Sequence, residues 1–295
     1  MIKKTLDKLS ISEIIKLFEN LEIDEDGKVE LRCTKDNFDR LGIKTFVELA
    51  QIFLYKIVDL SFKDVYIITL KKLDTNKSFH IQSADSEKYG VESEFFNINK
   101  NEEISFLYYF EKALQFVNIS SRKSVLNIGV NKADEFLAIK EYLSAEEFEK
   151  KNFLGIDYSN SAIEYAKKQF MDFKNVKFLC ADINKLEDIS LGKFDLMISI
   201  GTLQSSNINF NAKFMELYQN HLEQDGAIIL GFPNCRWIDG EMIYGAKAPN
   251  YSFNEMGLVL KDIHFCKKYL QQKGYRVVIT GKDYLFLSAR KISKN

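Results

Sequence analysis

The chain has 295 residues, a length that suggests two domains, and its 46% hydrophobic and 28% charged residues are ordinary globular usage that argues against disorder. With 41 Lys and Arg against 42 Asp and Glu the net charge is -1, which disfavours a chain held to nucleic acid mainly through the phosphate backbone. Four scattered Cys without a C-x-x-C, three scattered His, no apolar run near the ~18 residues of a membrane span, and an N-terminus broken by charge every few positions argue against disulfide framework, metal site, membrane contact and signal peptide; a reduced, cytoplasmic protein is expected.

Residues 1–100 predict a small accessory α+β domain. Ile11, Ile14, Ile15, Phe18 and Leu21 form one helical stripe, and Phe46, Leu49, Ala50, Phe53, Leu54 and Ile57 form another. KVELRC (28–33) and VYIITL (65–70) read as strands, and TNKSFHIQ (75–82) as a hairpin partner for the second. The polar stretch SADSEKYGVES then reads as a connection.

Residues 101–295 predict a second domain with a regular alternation. A helix over 102–117 leads to strand SVLNIGV (124–130), then a helix over 133–143 and a short helix opened by the capping box of Ser144 and Glu147. Strands NFLGID (152–157), VKFLCAD (176–182), FDLMISIGT (194–202) and GAIILGF (226–232) follow, with helices over 159–170 and 211–222 between them. Val259, Ile263, Cys266 and Leu270 stripe the last helix, which ends at Gly274. YRVVIT (275–280) and YLFLSAR (284–290) close the chain, joined by a turn short enough only for an antiparallel hairpin. Apolar strands alternating with helices predict an α/β fold, a mostly parallel doubly wound sheet of seven strands with an antiparallel last strand. Its ligand crevice lies at the C-terminal strand ends, where the strand order reverses.

The loops at those ends carry two acids. Asp157 can accept hydrogen bonds from both hydroxyls of a ribose, or with Ser159 simply cap the next helix. Asp182 can accept from an exocyclic amine beside the apolar wall of Ile183, or be an ordinary turn residue. Together, at successive strand ends, they suit a nucleoside better than either does singly. The first turn reads Gly129-Val130-Asn131-Lys132-Ala133-Asp134, with Asn131 and Ala133 where further glycines would let a ligand approach the backbone. Nothing in it resembles a P-loop.

The run from about 124 to 291 resembles the class I S-adenosylmethionine-dependent methyltransferases. GIDYSNSAIEYAKK resembles their second-strand motif, VKFLCADI the adenine-binding motif, FDLMISIGTLQ the fourth-strand motif and DGAIILGFPN the fifth strand. The resemblance implies a Rossmann-like transferase with S-adenosylmethionine as cofactor. It implies that Gly129, Asn131 and Asp134 meet the methionine end, Asp157 the ribose, Tyr158 one side of the adenine, and Asp182 with Ile183 its amino group and ring. Ser199 and Gly201 would floor the sulfonium. The family usually keeps an acid where Asn127 sits and two or three glycines after it; this chain departs from both.

No catalytic residue stands out, since methyl transfer rests chiefly on positioning. Cys235 can be imagined as a nucleophilic thiol, but an ordinary loop or buried thiol is the simpler reading. The insertion 235–251, with Arg236, Trp237, Tyr244 and Lys247, reads equally as an acceptor pocket or as a packed loop. Tyr108 and Tyr109 read as a core stripe with Phe106 and Phe110, or as a cover for the cofactor. The favoured acceptor is a small molecule, a metabolite or saccharide-like compound. The alternatives are a tRNA- or rRNA-modifying enzyme and a silent methyltransferase-fold binding module.

Overall fold

The computed structural model describes residues 1–77, 89–248 and 250–292. They form two compact units, Met1–Ser78 with Trp237–Ile243, and Phe79–Arg236 with Tyr244–Asn295.

In the first unit, strand β1 (Ile2–Thr5) precedes helix α1 (Ile11–Glu19), whose start is fixed by a reciprocal capping box between Ser10 and Glu13. Strand β2 (Lys28–Cys33) leads to α2 (Lys35–Phe53), and β3 (Tyr55–Phe62) and β4 (Tyr66–Lys72) follow. The helical run of α2 is broken at Gly42, whose φ of 70° is a conformation glycine adopts without steric cost. The stripe from Phe46 therefore belongs to its second half. The sheet order is β1-β2-β4-β3, and Ile14, Phe18, Phe46, Leu49, Leu31 and Ile68 share one core. The expected hairpin partner of β4 is corrected. β4 pairs with β2 and β3, and β3 is a strand where Ile57 had extended the helical stripe. Residues 78–82 of TNKSFHIQ lie outside the described residues.

The second unit carries α3 (Ile104–Phe116), β5 (Ser124–Ile128), α4 (Asp134–Tyr142), α5 (Ala145–Glu149), β6 (Asn152–Asp157), α6 (Asn160–Gln169), β7 (Val176–Cys180) and β8 (Phe194–Ile200). After these come α7 (Phe210–His221), β9 (Leu222–Pro233), the short hairpin β10 (Cys235–Ile238) and β11 (Glu241–Tyr244), α8 (Gly257–Gln272), β12 (Tyr275–Gly281) and β13 (Tyr284–Lys291). The seven-stranded sheet has the order β12-β13-β9-β8-β5-β6-β7, and only β13 runs against its neighbours. This is the expected fold, with the capping box at Ser144 and Glu147 in place.

Side chains alternate across the sheet, as strand geometry requires. Leu126, Met197, Ile228, Leu230 and Leu287 join Phe214 and Leu217 of α7 and Val259, Ile263, Cys266 and Leu270 of α8 in one core. On the other face Phe286 meets Phe106 and Phe110 of α3, and Phe153 meets Phe136 of α4. The chain proceeds outward from β5 to β6 and β7, then returns to place β8 on the other side of β5. The topological switch point therefore lies between β5 and β8.

The domain boundary expected at residue 100 falls earlier. Residues 89–102 belong to the second unit, and Trp237–Ile243 returns to the first, where Ile238 and Ile243 pack with Leu73 and Leu54. No helix among the described residues is long and apolar enough to cross a membrane.

Candidate functional site

The turn after β5 is built on three left-handed residues, Gly129 at φ 76°, Asn131 at 45° and Ala133 at 69°. These are the positions where the sequence suggested glycines, and the backbone adopts the glycine conformation at all three. For Asn131 and Ala133 that costs about 1–2 kcal/mol each, less for Asn, whose short polar side chain tolerates the region. Gly129 has no such latitude. A Cβ there would lie 1.7 Å from Oγ1 of Thr202, which comes from the loop after β8. Its N–H and that of Val130 donate to the carbonyl of Ile156, pinning the turn to the end of β6 at 2.8 and 3.0 Å.

Asp157 ends β6 inside this turn. Its carboxylate accepts from the backbone N–H of Asn131 at 2.8 Å and of Ser159 at 3.0 Å. Ser159 caps α6 through its own hydroxyl, so the capping role falls to Ser159 while Asp157 faces the β5 turn. Burial pushes the Asp157 carboxyl above its ordinary range, with the backbone donors pulling the other way. Burial likewise raises Asp134, against the pull of Lys100.

Two buried acceptors near the switch point have no hydrogen-bond partner, Oδ1 of Asn127 on β5 and Oγ of Ser199 on β8. The other end of the Asn127 amide donates to Glu135 at 3.1 Å, and Glu135 accepts from the ammonium of Lys100 at 2.7 Å. Burial pulls the Lys100 ammonium down, but Glu135 and Asp134 outweigh it and hold it above its ordinary value. A carboxylate thus stands beside Asn127, supplied from the first turn of α4.

Asp182 lies one strand further on and caps a 3₁₀ turn by accepting from the N–H of Asn184 at 2.9 Å; Ile183 beside it is buried. The backbone of Ala181 bonds to that of Asp157, so the two strand ends are joined. Tyr158 is exposed, and Gly201, at φ 76°, bonds to Gly231 of β9. The structure therefore gathers Gly129, Asn131, Asp134, Asp157, Asp182, Ile183, Ser199 and Gly201 at one end of the sheet.

A left-handed turn after β5, an acid closing β6 and a second acid after β7 thus stand together at the carboxy-terminal ends of the parallel strands. The family profile described as a methyltransferase domain matches residues 119–278, more than half of the chain and including all of these loops.

The chain belongs to the methyltransferase domain family.

No curated protein matches the methyltransferase's sequence. Solved structures do resemble it. A SAM-dependent methyltransferase from Aquifex aeolicus is 14% identical, covering 70% of this chain and 98% of that one, with a TM-score of 0.44. Magnesium protoporphyrin IX methyltransferase from Synechocystis is 14% identical over 64% of this chain and 81% of its own, TM-score 0.42. PKMT2 from Rickettsia typhi is 29% identical over 37% of this chain and 21% of its own, TM-score 0.33.

The residues expected on the acceptor side lie in the segment that follows β9. Arg236 donates to the carbonyl of Gly245 at 2.9 Å and to Asn254 at 2.6 Å, which knits the loop to itself. The Tyr244 hydroxyl meets the sulfur of Met256, Lys247 lies in the same loop, and Trp237 belongs to the first unit. Phe106 and Phe110 are core residues as expected, but Tyr108 is exposed. Cys235 is buried and burial pushes its thiol up to about 12, in keeping with the reading as an ordinary buried thiol. Titration of native protein with a thiol-reactive disulfide should label Cys180 rapidly and leave Cys33, Cys235 and Cys266 until denaturant is added; rapid labelling of Cys235 would contradict this burial.

Sequence reasoning passed over Lys100, Glu135 and Thr202. Glu135 carried the one usable signal, an acid in the first turn of the helix after Asn127, but acids are common there for the helix dipole alone.

Proposed function

We propose that the chain transfers a methyl group from S-adenosylmethionine to a small-molecule acceptor, a metabolite or saccharide-like compound, in the cytoplasm. The observation that carries the donor reading is the left-handed turn at 129, 131 and 133 closing on the buried Asp157 carboxylate. The residues fit this donor. The unpartnered Asn127 oxygen is an acceptor suited to an ammonium, and Glu135 beside it supplies negative charge where the family usually has an acid.

When bound, the donor supplies an electrophilic methyl on a positively charged sulfur. Asp157 accepts from the ribose hydroxyls, and its bonds to the N–H groups of Asn131 and Ser159 fix its orientation beforehand. Asp182 and Ile183 take the amino group and face of the adenine, with Tyr158 along its other side. Gly129, Asn131 and Asp134 would hold the methionine end, and Ser199 and Gly201 would floor the sulfonium. Because displacement at the methyl needs an aligned acceptor more than a base, positioning by Arg236, Tyr244 and Lys247 is the acceptor-side role assigned here. The balance of 41 basic against 42 acidic residues favours a small acceptor over RNA.

Donor carrying a labelled methyl, incubated with the enzyme and a cell extract, tests this directly. Label is expected in the low-molecular-weight fraction; label in RNA would replace the acceptor assignment, and no transfer with intact donor binding would favour a silent binding module.

The Asp157 carboxyl gives the site a pH dependence. Its value is raised above the ordinary 3.8 by burial, and the carboxylate accepts hydroxyl donors better than the acid does. Donor affinity should therefore fall as pH is lowered towards that raised value, sooner than an exposed Asp would cause. For the free protein the sign is opposite. The folded state holds the Asp157 proton more tightly than the unfolded state, so this residue's contribution to stability rises as pH falls through the same interval. Calorimetric titration of S-adenosylhomocysteine at pH 7 and pH 5 checks the first claim, and an affinity independent of pH would refute it.

A further inference from the structure

Residues 89–102 form a strap with several polar contacts to the loops and helix starts flanking Asp157. The carbonyl of Tyr89 accepts from the Asn131 side chain at 2.7 Å, and the Lys132 ammonium reaches the carbonyls of Phe96 and Ile98 at 2.9 and 2.6 Å. Lys100 pairs with Glu135, and the Asn101 amide donates to the carbonyl of Asp134 at 2.9 Å. On the other side, the N–H of Val91 donates to Ser161 of α6 at 3.1 Å, and the ring of Phe96 stands edge-on to Tyr165 at 4.9 Å. The strap is thus bound to the turn after β5 and the helix after β6 at once.

Such fixing is more than apolar packing requires. A lysine is almost never buried unless paired, and here Lys100 is largely buried against a carboxylate, while the half-buried Lys132 reaches two main-chain oxygens of the same segment. Lys132 stands in the very turn that the proposed function gives to the donor. Tyr89 is placed most closely. Asn131 holds its backbone, Phe95 meets its ring edge-on at 5.0 Å, and its phenol lies within the electrostatic reach of Asp157.

We infer that the strap 89–102 forms a wall of the donor pocket, and that the ring of Tyr89 is a further donor-binding residue packing against the adenosine held by Asp157. This rests on the donor assignment proposed above. Asn131 then has a double function: its N–H orients Asp157 and its amide positions Tyr89. A glycine at 131 would keep the turn but remove the strap's tie at Tyr89.

Calorimetric titration of the full chain with S-adenosylhomocysteine, and hydrogen exchange of residues 89–102 with and without it, test the inference. Tyr89→Ala should weaken binding by about tenfold or more, while Tyr89→Phe, which keeps the ring, should retain most of the affinity. In the unaltered protein, exchange across the strap should slow when the ligand binds, a measurement that needs no variant to fold. Unchanged affinity in Tyr89→Ala, with binding by the unaltered protein intact, overturns the inference and leaves the donor reading standing. Tighter binding in that variant, or faster exchange in the strap on binding, also overturns it, because the strap would then be occupying the ligand's place. Failure of the unaltered protein to bind at all overturns both.

Discussion

Lys100→Met should lower the unfolding free energy by about 3–5 kcal/mol, the usual consequence of removing one partner from a buried ion pair. Its Nζ lies 2.7 Å from Glu135, and the side chains retain only 12% and 2% of their exposure. Methionine fills a similar volume but leaves the Glu135 carboxylate in a dry environment facing Asp134 and Asp157. The double variant Lys100→Met with Glu135→Gln should recover much of the loss, since no charge is then stranded and the glutamine oxygen can still accept from Asn127. Urea titration decides this through the midpoint at unchanged slope. A loss below about 1 kcal/mol, the range of exposed pairs, would show that water reaches the pair.

Asp157→Ala should abolish stabilisation by S-adenosylhomocysteine. Ligand at a hundredfold its dissociation constant stabilises a binding-competent protein by about 2.7 kcal/mol, and none of this should remain once the ribose acceptor is gone. The unliganded protein should also weaken. The N–H groups of Asn131 and Ser159 lose their acceptor, at about 1–3 kcal/mol each when no substitute is found, partly offset by removing a carboxylate that burial disfavours. Thermal unfolding of both proteins with and without ligand separates the effects. A lower midpoint with the ligand shift preserved would make Asp157 a structural residue of the turn and no more.

Strands β5 to β9 were legible because buried parallel strands are written as continuous apolar runs, and the helices between them carry caps such as Ser144 with Glu147. Two elements of the first unit were not. β1 is only four residues, IKKT, and alternates half-buried with exposed at a sheet edge, so little hydrophobic pattern marks it. β3 was hidden because Leu54 and Ile57 continue the spacing of α2; the helix stops where Leu54 turns left-handed, without the glycine that usually signals such an end. At the site, acids at strand ends are visible in one dimension. Ala133 in a left-handed turn is not, since alanine, unlike glycine or asparagine, carries no signal for that conformation. Nor is the Lys100–Glu135 pair, because charged residues in a polar stretch read as surface and only the folded strap buries them.

Trp237–Ile243 completes a unit that the chain began at its first residue, and this imposes an order of events during synthesis. Domains tend to fold as they leave the ribosome, amino-terminal portions first. Here Leu54 and Leu73 must wait for Ile238 and Ile243, which are translated only after β5 through β9. The nascent amino-terminal part therefore carries an unsealed apolar seam while most of the parallel sheet is being made. Expressing the carboxy-terminal part alone would leave the complementary half of that seam bare.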